Sequence, residues 1–239
     1  MQTTKTKVIP LKHLAIIMDG NRRYAKSIHR PKEYGHYLGV NKIHDLVDWC
    51  LERNIAEVTL YTFSLDNWKR EEGEVNYLFS LVSDFFKRYL EELIAKGVHL
   101  NWVGLPTGLP KEVSTILKAS EKQSKKCHKL TLNLAFNYGG QKDVAIAAQR
   151  IAKKVKKGQL KLQDIDEAEV RSNLLSKKVS SIDLLIRTSG EERISDFMPL
   201  QLSYSELYFT KVYWPSFSEI DLDKAIQEYY SRQRRFGGE

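Results

Sequence analysis

The sequence predicts an α/β domain, a mainly parallel central sheet of about six strands flanked by helices. Two patterns carry that expectation. Short apolar, β-branched runs alternate with longer segments whose apolar residues recur at helical spacing, the arrangement that right-handed crossovers turn into parallel pairing. Three of the runs are also followed at once by polar clusters, as expected where ligands sit beyond the carboxyl ends of parallel strands.

In chain order the expected strands are LAIIM (14–18), VTLYTF (58–63), VHLNWV (98–103), LTLNLAF (130–136), IDLLI (182–186) and LYF (207–209). Between them Ile43, Leu46, Val47, Cys50 and Leu51 follow helical spacing. So do Val75, Leu78, Phe79, Val82, Phe86, Leu90 and Leu93 over a longer stretch. Further helices are expected around 113–117, 144–155 and 222–229, with Gly158 as a C-terminal cap. No internal repeat or low-complexity linker interrupts the pattern, so residues 1–239 read as one domain, with 1–12 a flexible N-terminus.

Bulk composition narrows the partners. The formal net charge of +8 favours an anionic partner without choosing among nucleic acid, phosphorylated metabolite and acidic membrane. Cys50 and Cys127 stand in no CxxC pair, which argues against a disulfide framework or a zinc site and for a reducing cytoplasm. No stretch approaches the roughly 18 apolar residues of a membrane span, so any membrane contact is expected to be peripheral. GxGxxG, GxxxxGK[ST] and GxSxG are all absent, which removes dinucleotide, P-loop and serine-hydrolase chemistry.

The chemistry therefore rests on the three polar clusters. After LAIIM come Asp19, Gly20, Asn21, Arg22 and Arg23, then Lys26, Arg30, Lys32 and His36. One acid among many bases suits a metal-bound diphosphate, with phosphate oxygens held by backbone N–H groups and cations. In isolation, Asp19 reads more simply as a helix cap. After VTLYTF come Ser64, Asp66, Asn67, Trp68, Lys69 and Arg70, which alone read as a capped loop with Trp68 packed on the surface. After IDLLI come Arg187, Ser189, Gly190, Glu191, Glu192, Arg193 and Ser195, where two arginines across a turn suit a second diphosphate or, equally, pair with the glutamates. The lysine-rich stretch 153–161 reads as a solvated helix end with weak attraction to anionic lipid.

Taken together, HLAIIMDGNRRYAK, the Gly35–His36 pair, TFSLDNW, LNLAFNYGG, IRTSGEERIS, SELYF and the terminal RRFGG resemble the cis-prenyltransferase family, most closely undecaprenyl diphosphate synthases. The likeness runs from His13 to Gly238, nearly the whole chain. It implies a homodimer with an elongated hydrophobic tunnel between sheet and helices. It also implies Mg²⁺-dependent condensation of isopentenyl diphosphate with an allylic diphosphate such as farnesyl diphosphate, giving a long polyprenyl diphosphate of undecaprenyl type.

By the resemblance, Asp19 binds Mg²⁺ with Glu206 as a second acid, and Gly20, Asn21, Arg22, Arg23 and Lys32 meet the allylic diphosphate. His36, Ser64, Asn67, Trp68 and Arg70 stand near the reacting carbons, with Asn67 a catalytic candidate. Arg187, Arg193 and Ser195 form the isopentenyl diphosphate site, over which Arg235, Gly237 and Gly238 close. Val40, Thr62, Leu78, Val82 and Leu130 are the implied tunnel wall. Three positions depart from the family pattern: Lys32 where arginine is usual, Ser189 in place of the first glycine of RTGGE, and Glu192 where histidine is frequent. A short-chain cis-prenyl synthase is the main alternative. A non-catalytic family subunit is less favoured because Asp19, Arg187 and Arg193 persist, and no nucleic-acid partner is expected.

Overall fold

The computed structural model describes residues 10–232. Its strands are β1 (His13–Ile17), β2 (Glu57–Ser64), β3 (Val98–Val103), β4 (Leu130–Tyr138), β5 (Leu184–Arg187) and β6 (Glu206–Phe209). They form one six-stranded sheet in the order β3-β4-β2-β1-β5-β6, and each neighbouring pair is parallel. All six expected strands are present, with bounds shifted by a few residues.

Full parallel pairing explains the apolar runs. A strand covered by helices on both faces is buried throughout, as β1 is at all five positions, so it reads as a continuous run rather than an alternation. Successive side chains still part to opposite sides. Leu14 and Ile16 enter one core with Leu46, Phe79, Phe86 and Leu117, while Ala15 and Ile17 enter another with Tyr138, Leu185 and Phe197.

The helices are α1 (Asn21–Ser27), α2 (Lys32–Glu52), α3 (Glu72–Ala95), α4 (Lys111–Gln123), α5 (Gly140–Lys156), α6 (Glu167–Asn173) and α7 (Glu219–Ser231). Pro31 and Pro110 stand at the starts of α2 and α4, where a fixed φ and a missing N–H cost nothing. At the end of α5, Gly158 turns left-handed (φ +68°). Its N–H reaches the Val155 carbonyl and that of Gln159 reaches Lys154, a complete Schellman cap. The short α6 was not among the expected helices. Its only apolar residues are Ala168 and Val170, and it is held by the Asp166 side chain capping the Glu169 N–H.

Of the N-terminal segment expected to be flexible, Leu11 and Lys12 are tied down. The Leu11 N–H donates to the Tyr230 hydroxyl at 3.1 Å and that of Lys12 to Asp183 at 3.0 Å. Both cysteines are free, and among the described residues no helix is long and apolar enough to cross a membrane.

Candidate active site

The register of the central strands brings two of the polar clusters together. Ile17, the last residue of β1, pairs with Arg187, the last of β5, so the loops that follow them leave the same end of the sheet side by side. Their backbones are then stitched by Thr188, whose hydroxyl accepts from the Asp19 N–H at 2.9 Å and donates to the Asp19 carbonyl at 2.7 Å.

Between β1 and α1 the chain turns through Gly20 at φ +102°, where a Cβ would stand 2.7 Å from Ser189 Oγ. Only glycine fits that position. The turn aims the Asp19 carboxylate at two arginines: its Oδ2 lies 3.1 Å from Arg187 Nη2 and 3.2 Å from Arg23 Nη2. Arg187 is buried, and its Nη1 donates to Ser195 Oγ at 2.7 Å and to the Arg193 carbonyl. Arg23 also reaches the Ser189 carbonyl at 3.1 Å and Glu191 at 3.0 Å.

Three buried polar atoms in this cluster lack a hydrogen-bond partner among the described residues: Asn21 Oδ1, Arg187 Nε and Ser189 Oγ. Such groups are rare in folded proteins, and their gathering around one carboxylate marks a polar site built for something besides the protein itself. Gly35 and Gly39 of α2 make room for Asn21, since a Cβ on either would come within 2.1 Å and 2.4 Å of its carbonyl and side-chain oxygens.

A second group of cations is organised by Glu74, which is only 3% exposed. Arg70 Nη1 meets its carboxylate at 2.9 Å, His36 Nε2 at 3.1 Å and Lys32 Nζ at 3.2 Å, and Lys32 also contacts Glu71. Burial raises the Glu74 carboxyl, but hydrogen bonds from Lys32 and His36 and the Arg70 charge outweigh it and hold the group below the usual carboxylate range. Burial pushes the His36 imidazole down, against the effect of its hydrogen bond to the Glu74 carboxylate, so it is neutral near pH 7.

After β2 the turn 65–69 is fixed by a reciprocal cap, in which the Ser64 N–H donates to Asn67 Oδ1 at 3.0 Å. All these elements border one cleft of about 330 Å³. Asp19, Asn21, His36, Ser64, Asn67, Arg70, Arg187 and Ser195 supply its polar part. Val40, Ile43, Leu78, Val82, Phe85, Phe86 and Leu117, from three helices, make much of its apolar part, with Ile17, Leu134 and Phe136 from the sheet. A strip of cations joined to an apolar slot suits an amphiphile with an anionic head.

The family model described as "Putative undecaprenyl diphosphate synthase" matches residues 17–237. The chain belongs to this family. A tritrans,polycis-undecaprenyl-diphosphate synthase (geranylgeranyl-diphosphate specific) from Thermoplasma volcanium is 42% identical over 95% of this chain and 88% of its own length. A ditrans,polycis-undecaprenyl-diphosphate synthase ((2E,6E)-farnesyl-diphosphate specific) from Micrococcus luteus is 41% identical over 95% and 91%. The solved structure of lavandulyl diphosphate synthase from Lavandula x intermedia, in complex with dimethylallyl diphosphate, superposes with a TM-score of 0.92 at 35% identity, covering 95% of this chain and 98% of that one.

As a family member the protein is a prenyltransferase, and its reaction class is cis-prenyl chain elongation. In this prenyltransferase most of the expected site residues converge. Asp19, Gly20, Asn21, Arg22, Arg23, Lys32, His36 and Arg70 share an open depression next to the cleft. Val40, Thr62, Leu78 and Val82 line the cleft as expected, but Leu130 does not. It begins β4, at the opposite end of the strand.

Three further residues expected at the site, Trp68, Arg193 and Glu206, do not line the cleft. Trp68 is absent from the cleft wall, because its indole packs edge-on against Phe63 and Phe79 and its N–H donates to Asn137 at 2.8 Å. Arg193 is largely exposed and pairs with Glu191, leaving only its backbone carbonyl on Arg187. Glu206 does not join Asp19: it begins β6 level with Leu184, near the amino end of the sheet, and pairs with Arg232 at 3.0 Å. Arg235, Gly237 and Gly238 lie outside the described residues.

The remaining donors fit Mg²⁺ in one particular way. Among the described residues no group of three or more acids, histidines or cysteines gathers to cage a metal. Mg²⁺ commonly binds through one or two carboxylates plus substrate phosphates and water. A lone Asp19 carboxylate amid cations that suit a diphosphate has that chemistry.

Proposed function

We propose that this chain condenses isopentenyl diphosphate with an allylic diphosphate such as farnesyl diphosphate, using Mg²⁺, to build a long polyprenyl diphosphate of undecaprenyl type. One observation carries the reading: the Asp19–Arg187 pair sits where the cationic rim meets the apolar cleft. A substrate with its diphosphate on the rim and its hydrocarbon in the slot puts its reactive carbon at that junction.

In this reading the Gly20 and Asn21 region with Arg22, Arg23 and Lys32 binds the allylic diphosphate, and Arg187 and Ser195 bind that of isopentenyl diphosphate. Asp19 is the metal ligand. When bound, Mg²⁺ neutralises charge on the leaving diphosphate. Arg23 and the other rim cations, already placed, meet the negative charge that grows as the allylic C–O bond breaks. The alkene of isopentenyl diphosphate supplies the electron pair for the new C–C bond, and a proton is then lost from the adduct to restore a cis double bond. Asn67 and neutral His36, both in the cleft wall, are the protein groups that could assist that proton's removal. The reading extends to a single-domain cytoplasmic homodimer, peripheral to membrane.

A short-chain cis-prenyl synthase is the second reading, favoured by bulky Phe85, Phe86 and Leu117 in the cleft wall. The test is incorporation of labelled isopentenyl diphosphate with farnesyl, geranylgeranyl and dimethylallyl diphosphate in turn, with and without Mg²⁺, followed by sizing of the products. Long products that require Mg²⁺ support the first reading, exclusively short ones support the second, and no incorporation with any primer overturns both.

A further inference from the structure

We propose that the surface made by the end of α1, the loop to α2 and the first turns of α2 docks on the anionic headgroup face of a lipid bilayer. From Gly20 to Tyr37 the sequence holds one acid, Glu33. Of the cations there, Arg23 is engaged by Asp19 and Glu191, and Lys32 by Glu71 and Glu74. Lys26, His29 and Arg30 have no ion-pair or side-chain hydrogen-bond partner among the described residues, and they line an open depression of about 750 Å³ that begins at Asp19. All three are exposed, at the outer part of the depression whose inner part holds Asp19, and no acid among the described residues neutralises them.

Apolar surface is interleaved with these cations. Ile28, Tyr34 and Tyr37 are between 38% and 42% exposed, and the Arg30 guanidinium lies 5.8 Å from the Tyr34 ring centroid. Aromatic and aliphatic side chains set among basic residues suit the membrane interface, where rings rest at headgroup level and cations meet the anionic leaflet. The depression also shares Met18, Asp19, Asn21, His36 and Arg70 with the apolar cleft, so this surface borders the cleft's polar end. If the product is a polyprenyl diphosphate, as proposed above, its diphosphate head lies beside the lipid headgroups. The charge and exposure of the surface do not depend on that reading.

The lysines at the end of α5 are the competing basic patch. There Lys154 is paired with Glu169 at 2.8 Å, and Asp164, Asp166 and Glu167 stand close by in sequence and offset the rest.

The experiment is cosedimentation of the whole chain, without substrate, with vesicles of pure phosphatidylcholine or of phosphatidylcholine containing about one-third phosphatidylglycerol, at low and high salt. The protein is expected to bind the anionic vesicles, spare the neutral ones and detach as salt rises. Lys26→Gln with Arg30→Gln is expected to weaken binding about 30-fold, each cation near such a surface contributing about five-fold. Ile28→Ser with Tyr34→Ser should weaken it as well, which simple attraction to phosphate does not require. Thermal melts of each variant check that it is folded. The proposal is overturned if the native protein stays in the supernatant, if both double variants bind like the native protein, or if only Lys156→Glu with Lys157→Glu abolishes binding. Product formation, measured in detergent without vesicles, tests the reaction separately.

Discussion

Asp19 and Arg187 form an ion pair at 3.1 Å that joins the two proposed diphosphate sites through a single carboxylate oxygen. Arg187 is buried, so each partner sets the other's environment. Asp19→Asn keeps the shape but removes the charge. Product formation is expected to fall by at least about 10²-fold to 10³-fold, the scale seen when one preorganised electrostatic contact is lost. The same variant leaves buried Arg187 without its counter-charge, so its melting temperature should drop, by the equivalent of about 1–2 kcal/mol, since Asp19 itself is 30% exposed and screened by solvent. Inorganic diphosphate should restore part of that loss by supplying the missing negative charge. Unchanged activity in a folded variant would remove Asp19 from the mechanism.

Glu74 is the positioning residue for Lys32, His36 and Arg70. Glu74→Gln frees all three and is expected to raise KM for the allylic diphosphate more than it lowers kcat, because the cations remain but lose their aim. Lys32→Arg, which restores a bidentate donor at a position where it is usual in the family, is expected to lower KM. Equal changes in kcat and KM on Glu74→Gln would point to a merely structural role.

Acid should destabilise the fold through the same cluster. Burial depresses the folded-state pKa of His36, so the unfolded chain takes up the proton first. The stability this neutral imidazole contributes is present above the ordinary histidine value of about 6.5 and is lost as pH falls from there toward the folded pKa. Glu74, also depressed, adds a second loss lower down, below the ordinary glutamate value of about 4.3. Melting temperature followed from pH 7.5 to 5 should fall in the native protein and fall less in His36→Gln; identical slopes would exclude His36 as the cause.

Much of this arrangement was legible in the sequence. Strands covered on both faces leave continuous runs such as LAIIM, and polar clusters at their carboxyl ends announced Asp19, Asn67 and Arg187 before any coordinates. Glu74 was missed because an acid in the first turn of a helix already has a plain explanation in the helix dipole. Its burial arises only when α2 and the turn after β2 bring three cations to it, although the Arg70-to-Glu74 spacing of four residues was a usable hint. Trp68 and Glu206 were misplaced for the opposite reason. Motif membership carries no direction, and the first indole turns back to Asn137 while strand register sets the second residue at the far end of the sheet.

Ser189 strains the site it belongs to. It holds φ +79°, and its buried hydroxyl has no partner among the described residues. Ser189→Gly removes both defects, at the cost of a more flexible unfolded chain, and is expected to stabilise by about 1 kcal/mol, or a rise of about 2–4 °C in a chain of this size. Ser189→Ala removes the hydroxyl but keeps the strained backbone, so it should recover less. A melt in which Ala matches Gly would assign the whole effect to the hydroxyl.

Product length should respond to Phe85. Its ring lines the apolar cleft and packs against Phe86 and Tyr89 at centroid distances of 5.5 Å and 5.2 Å, well away in sequence from the polar rim. A growing chain that extends from the Asp19 junction toward α4 must pass this ring or stop at it. Phe85→Leu removes volume while staying apolar, so the fold should survive with a loss below about 2 kcal/mol. If the ring is a stop, the variant's products lengthen at unchanged primer KM; if the chain runs past it, the size distribution stays the same while total turnover drops slightly. Chromatography of products from both proteins, made with the same primer, separates these outcomes, and the product size of the native protein decides between the long-chain and short-chain readings.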